Sequence, residues 1–204
     1  MPDTSNKDHW ENVYSTKQPH EVSWTQDIPK TSLEFITGLH LPKDAAIIDI
    51  GGGDSNLVDF LLEEGYRNLT VLDISEKALE RAKQRLGNKA ANVKWIVSDV
   101  TVFTPTETYD VWHDRAAFHF LTTHAQVEKY TDIVGIAVKG HLIIGTFSDA
   151  GPKKCSGLEI QQYNEQSIEE MFSGSFRKVE CTTEDHVTPF NTMQNFIFCR
   201  FERI

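Results

Sequence analysis

Cysteine is scarce in this chain of 204 residues, which has only Cys155, Cys181 and Cys199. Their number is odd, and no pair has the Cys-x-x-Cys spacing that holds zinc or runs thiol exchange. All three are therefore expected to be reduced thiols. Long apolar runs are also missing. No stretch approaches the roughly 20 residues needed to cross a bilayer, and the polar segment Met1 to Trp10 lacks the apolar core of a secretory signal. These absences predict an intracellular, cytoplasmic protein. Positive charge is short as well: 20 Lys and Arg stand against 30 Asp and Glu, a net charge of −10. A surface for nucleic acid or anionic lipid needs clustered basic residues, and Lys153-Lys154 is typical of the short basic pieces present. Neither partner is expected. No His, Cys, Asp and Glu grouping has metal-ligand spacing, so no metal is expected. The nucleophile elbow Gly-x-Ser-x-Gly is absent too, consistent with chemistry that needs no covalent nucleophile.

What the chain does have is alternation. Ala45 to Ile50 is a short apolar run leading into glycines, the pattern of a buried parallel strand. Leu57 to Glu64 follows with a helical stripe closed by Gly65. Leu69 to Leu72 reads as the second strand, and Ser75 caps a helix through Leu86, with Gly87 beyond it. Val93 to Val97, Tyr109 to Trp112 and His141 to Phe147 read as further strands, with His124 to Val138 helical between the last two. A short helix over Ser167 to Phe172 precedes two long runs, Arg177 to Glu184 and Gln194 to Phe201. Strands alternating with helices give right-handed βαβ units and a parallel sheet covered on both faces. The expected fold is thus one α/β domain over residues 1–204, with a doubly wound, mostly parallel, seven-stranded Rossmann-like sheet. Its last strands form an antiparallel edge pair. Asp8 to Tyr14 and Pro29 to Leu39 read as helices of an N-terminal segment (1–40) that precedes the core (45–204).

The most informative segment is Ile47-Ile48-Asp49-Ile50-Gly51-Gly52-Gly53-Asp54-Ser55-Asn56. A glycine-rich turn between a buried strand and a helix lets backbone approach a ligand closely, at the strand ends where open α/β sheets bind ligands. A dinucleotide site needs Gly-x-Gly-x-x-Gly, and counting from Gly51 the last position is Asn56. Asp54 at the helix N-terminus would also repel a pyrophosphate. A cofactor without phosphate escapes both objections.

Here the sequence resembles the class I methyltransferases that use S-adenosylmethionine (SAM), whose first motif is an acidic residue followed by Gly-x-Gly-x-Gly. Asp49, Gly51 and Gly53 match it, and Ser55 replaces the third glycine. Three neighbours extend the resemblance over nearly the whole chain. Asp73, followed by Ile74, ends the second strand where the family's carboxylate accepts hydrogen bonds from the ribose hydroxyls. Ser98-Asp99-Val100 ends the third strand, where the family places an acidic residue against the adenine amino group. Tyr109-Asp110-Val111-Trp112-His113-Asp114-Arg115 resembles the fourth-strand motif beside the reacting methyl, and a group of bacterial methyltransferases shares its His-Asp-Arg. The resemblance implies SAM as cofactor, S-adenosylhomocysteine (SAH) as product, and cofactor contacts from Asp49, Gly51, Gly52, Gly53, Ser55, Asp73, Ile74, Ser98, Asp99, Val100 and His113. Asp73 and Asp99 also read as strand-end caps or turn residues.

Methyl transfer from a sulfonium is an in-line displacement, so the protein positions, desolvates and in some cases removes a proton. The candidates are His113, Asp114 and His119 as bases and Arg115 as a holder of a substrate carboxylate. An Asp114–Arg115 structural pair with His119 exposed on a helix is the competing reading. Many family members fold an N-terminal segment over the cofactor as a lid, and Trp10, Tyr14 and Trp24 are the aromatics placed to do so here. Tyr163 and Lys154 lie on a loop on the same side of the sheet. The Asn/Asp-Pro-Pro-Tyr of amino-nitrogen methylases is absent, as is the cysteine set of arsenic methyltransferases. A small-molecule acceptor is expected, with a lysine-type protein acceptor or a non-catalytic SAM-binding domain as alternatives.

Overall fold

The computed structural model describes residues 4–204. Two helices, α1 (Thr4–Thr16) and α2 (Lys30–Thr37), precede the sheet. The core then alternates β1 (Ala46–Ile50), α3 (Leu57–Glu63), β2 (Asn68–Asp73), α4 (Glu76–Leu86), β3 (Val93–Val97), β4 (Tyr109–Arg115), α5 (His124–Ala137) and β5 (Val138–Phe147). A two-residue hairpin, β6 (Lys154–Cys155) and β7 (Leu158–Glu159), leads to α6 (Glu165–Phe172). The chain closes with β8 (Phe176–Val187) and β9 (Met193–Arg203). The sheet order is β3-β2-β1-β4-β5-β9-β8, parallel through β5 and antiparallel at β9 and β8. This is the expected architecture. The order reverses between β1 and β4, and ligands of such sheets bind at that switch point.

The pleat of β1 and β4 sorts the site residues. Ala46, Ile48 and Ile50 enter the core on the α5–α6 face, with Trp112, Tyr130 and Phe172. Ile47 and Val111 enter the core on the other face, with Leu57, Leu61 and Leu79. Side chains alternate along a strand, so Asp49, His113 and Arg115 share the face of Ile47 and Val111, whereas Asp114 falls on the face of Trp112. Asp49 and His113 are direct partners in the β1–β4 register.

Local chemistry sets the boundaries. Ser75 accepts the Ala78 N–H as the α4 cap, and Gly87 ends that helix at φ +57°. A threonine–glutamine capping box starts α5 at Thr123. Two expectations are corrected. The fourth strand runs on past Trp112 to Arg115, because the backbone of His113 to Arg115 keeps its ladder with Ile143 to Gly145. Cys181 and Cys199 are joined by a disulfide rather than being free thiols, since the β8–β9 register sets them directly opposite with Cα atoms 4.1 Å apart. Cys155 is the free cysteine, and it is buried.

Candidate functional site

One cavity of about 810 Å³ lies at the carboxyl ends of β1, β2 and β4, roofed by α1 and the segment before α2. The glycine turn forms its floor. Gly51 sits at φ +65° and Gly53 at φ +31°, conformations that L side chains rarely adopt. A Cβ on Gly52 would strike the Asp49 carboxylate, and one on Gly53 would strike that of Asp73. The backbone therefore lies directly against two acidic side chains. Asp54 does not crowd the cavity with free charge, because Arg85 holds it at 2.7 Å and Arg81 at 3.6 Å. Arg85 also donates to the Ser55 carbonyl at 2.7 Å, which fixes the end of the turn.

Asp73 is buried, and its Oδ1 accepts the Ser75 N–H at 2.8 Å. Among the described residues, no cation pairs with it. Burial pushes its carboxyl up to about 7, and the nearby Asp49 and Glu11 carboxylates add to the rise. A buried carboxylate with spare lone pairs calls for neutral hydroxyl donors rather than a phosphate. Asp99 lines the same cavity, and its Oδ1 accepts from the Thr101 N–H and hydroxyl at 2.8 Å each. Ile74, Ser98, Val100 and Ser55 are also at the wall.

His113 is the hinge of a buried chain of polar groups. Its Nδ1 lies 2.7 Å from Asp49 Oδ1 and its Nε2 lies 2.9 Å from Ser32 Oγ. A carboxylate only accepts, so Nδ1 carries the proton and Nε2 accepts from the Ser32 hydroxyl. All three residues line the cavity, and each is at most 5% exposed.

The pleat gives the remaining fourth-strand candidates different places. Arg115 lines the cavity beside Ala116, which has φ +69° and turns the chain sharply after β4. Its Nη1 donates to the Trp24 carbonyl at 3.0 Å, and the guanidinium lies 4.8 Å from the Phe196 ring. Asp114 is fully buried on the opposite face. It accepts from the Tyr130 hydroxyl at 2.7 Å and from the Ala117 and Phe118 N–H groups at 3.0 Å each. Trp112 Nε1–H donates to that same Tyr130 oxygen at 3.0 Å. Desolvation raises the Asp114 carboxyl to about 6. Asp114 and Arg115 thus belong to separate networks and do not pair. His119, read as exposed in one alternative, is fully buried and stacks on Phe147 at 4.5 Å between ring centroids. Burial and the Arg115 charge depress it to about 3, so it is neutral. Neither Asp114 nor His119 reaches the cavity wall. Tyr163 packs on Phe118 in the core, and Lys154 pairs with Glu159 at the surface.

The N-terminal aromatics close over the cavity. Trp10 meets Trp24 at 5.6 Å, Phe120 at 5.1 Å and Tyr14 at 6.3 Å between centroids. Glu11 fastens this layer to the start of α4, accepting the Glu76 N–H at 2.7 Å and the Ser75 hydroxyl at 3.1 Å. Sequence reasoning missed Ser32, Glu11, Arg81 and Arg85. No local pattern marks them, because each acts on a residue at least 26 positions away. Among the described residues, no three His, Cys, Asp or Glu side chains gather as a metal site. None of the described helices is long and apolar enough to cross a membrane.

Residues 47–137 match the methyltransferase domain family. A malonyl-[acyl-carrier protein] O-methyltransferase of Anoxybacillus flavithermus is 33% identical over 117 residues, covering 54% of this chain and 41% of that protein. The mouse eEF1A lysine and N-terminal methyltransferase is 28% identical over 120 residues, covering 57% of this chain and 16% of that protein. The chain thus spans less than half the length of either relative. The N-methyltransferase NodS from Bradyrhizobium japonicum WM9, solved with SAH, shares the fold at a TM-score of 0.68 and 18% identity, over 87% of this chain and 89% of that one. Residues 47–137, which carry the glycine turn, the strand-end carboxylates and the sheet's switch point, thus match the methyltransferase domain family, and the fold of the chain is that of solved SAM-dependent methyltransferases.

Proposed function

We propose that this protein transfers a methyl group from SAM to a small-molecule acceptor held beside His113. The observation that carries this reading is the continuity of the cavity. One space of about 810 Å³ joins Asp73 and Asp99 to an aromatic-walled end at Trp24 and Phe120. That volume falls within the range of pockets for cofactors and small ligands. The residues fit SAM: Asp73 offers a carboxylate to ribose hydroxyls, and Ser98, Asp99, Val100 and Ile74 border the place of the base. Gly51, Gly52, Gly53, Ser55 and Asp49 form the turn that approaches the rest of the molecule. The Trp10, Tyr14 and Trp24 layer, with the 1–40 segment that carries it, is the lid.

Bound SAM supplies an electrophilic methyl group, so the chain's own work is orientation, exclusion of water and proton removal. The Asp49–His113–Ser32 chain serves the last. As the acceptor is methylated, its proton passes to Ser32 Oγ while the Ser32 proton moves to His113 Nε2, and Asp49 stabilises the resulting imidazolium. Asp114 and His119 hold the Ala116–Phe120 turn and the core behind it, without touching the acceptor. Likeness to the mouse enzyme favours a second reading, a protein side-chain acceptor.

Isothermal titration calorimetry with SAM, SAH and NADH tests the cofactor. Micromolar binding of the first two with none of the third is the expected result, and silence from both sulfur nucleosides would overturn the reading. Tritium transfer from labelled SAM into small-molecule or peptide fractions then decides between the acceptor classes.

A further inference from the structure

The aromatic-walled end of the cavity holds a cation that, among the described residues, has no counterion in contact. Arg115 Nη1 is engaged by the Trp24 carbonyl, but Nε and Nη2 are sealed from solvent and have no hydrogen-bond partner. Burial lowers the guanidinium to about 10, so it stays charged at neutral pH. Glu184 on β8 contributes the largest attraction, but it lies outside ion-pair contact with Arg115, and its Oε2 is itself buried without a hydrogen-bond partner. Its Oε1 is instead taken by the Gln26 amide at 3.0 Å. The other groups that act on the guanidinium are the Cys155 thiol, raised to about 11 and hence neutral, and the Asp49 carboxylate, whose Oδ1 is already held by His113. Leaving two guanidinium donors buried without partners is costly, and such groups in a folded protein call for an explanation. A cation–π contact with Phe196 offsets part of the cost but fills no donor.

The two idle donors are not scattered. Nε and Nη2 form one edge of the guanidinium fork, the edge that grips a carboxylate through two parallel N–H···O bonds. Arg115 lines the cavity beside Ala116, and Trp24, Trp10 and Phe120 wall the same end. The Trp24 carbonyl that holds Nη1 belongs to the lid, so opening of the lid uncovers the fork for an entering ligand. The geometry points to Arg115 as an anchor for a carboxylate on the methyl acceptor, which makes the acceptor a small acid with a flat apolar body. This rests on the methyltransferase reading above and narrows its substrate class.

Calorimetry on the SAH-saturated protein tests it with matched acid and amide probes. The pairs are benzoate with benzamide, phenylacetate with phenylacetamide, and indole-3-acetate with indole-3-acetamide. At least one acid is expected to bind about tenfold or more tightly than its amide, the discrimination typical of one charge-assisted pair. Arg115→Gln should abolish that preference, and Arg115→Lys should weaken it, while SAH affinity stays within about twofold. Equal binding of every acid and its amide, or no binding by any acid, overturns the carboxylate site, as does a preference that survives in Arg115→Gln. The wild-type comparison stands even where a variant fails to fold. SAH titration of the wild type comes first: if SAH does not bind, the proposed function and this site both fall, whereas SAH binding without acid preference removes only the site.

Discussion

Asp73 offers the sharpest test of how the cofactor is held. Burial is the chief cause that raises its carboxyl from 3.8 to about 7. Ribose hydroxyls donate to the ionised form, so ligand binding must first bear the cost of deprotonating Asp73 when the pH is low. With a pKa of about 7 the group is roughly one-tenth ionised at pH 6 and nine-tenths at pH 8, so the Kd for SAH should rise about tenfold from pH 8 to pH 6. The sign for folding is opposite. A carboxyl raised in the folded state binds its proton more tightly there than in the unfolded chain. The unliganded protein should therefore lose stability as pH rises from about 4 to about 7, and ligand should restore it. Calorimetry at the two pH values measures the first effect, with SAH used in place of SAM to avoid transfer. Other groups titrate in the same range, so Asp73→Asn supplies the control: its affinity should be lower by about 1 to 3 kcal/mol at pH 8 and nearly flat with pH. A wild-type Kd that is flat from pH 6 to pH 8, or an Asp73→Asn variant with the wild-type slope, refutes the assignment.

Asp114→Asn should leave SAH affinity unchanged while lowering stability by about 1 to 3 kcal/mol, because it weakens the acceptor of three hydrogen bonds, two of them buried; a thermal melt beside a titration checks both. Glu11→Ala removes the tie between α1 and the start of α4, and SAH should bind severalfold more weakly with little loss of core stability, read by titration and urea denaturation. Gly52→Ala drives a methyl group into the Asp49 carboxylate and should cost about 1 to 3 kcal/mol of folding stability as well as SAH affinity. An alanine variant that binds SAH normally would show that the turn has room that the structure denies it. Non-reducing peptide mapping should recover Cys181 and Cys199 in one linked fragment, with Cys155 alkylated only after unfolding.

Much of this molecule is local in origin and hence readable along the chain. Buried parallel strands are continuous apolar runs, and the helices between them carry stripes and caps, so Ala46–Ile50, Ser75 as a cap and the closing antiparallel pair could all be placed from residue order. The glycine turn with Asp49, Asp73 and Asp99 was legible for the same reason, since each carboxylate lies at the end of its own strand and the spacing along the chain reports that. The fourth strand was harder. His113, Asp114 and Arg115 are adjacent in sequence, and one list of candidates held them all. The pleat sends His113 and Arg115 to the cavity and Asp114 into the core with Tyr130.

Contacts across the fold lay beyond the sequence because their partners share no local pattern. Ser32 meets His113 from 81 positions away, and the Cys181–Cys199 pairing follows from strand register alone. Residue order determined the class of the fold and the carboxylates that line the cavity. Tertiary packing decided which of several neighbouring polar groups faces the cavity and which is silenced in the core, because burial and partner, rather than residue type, set what a side chain can do.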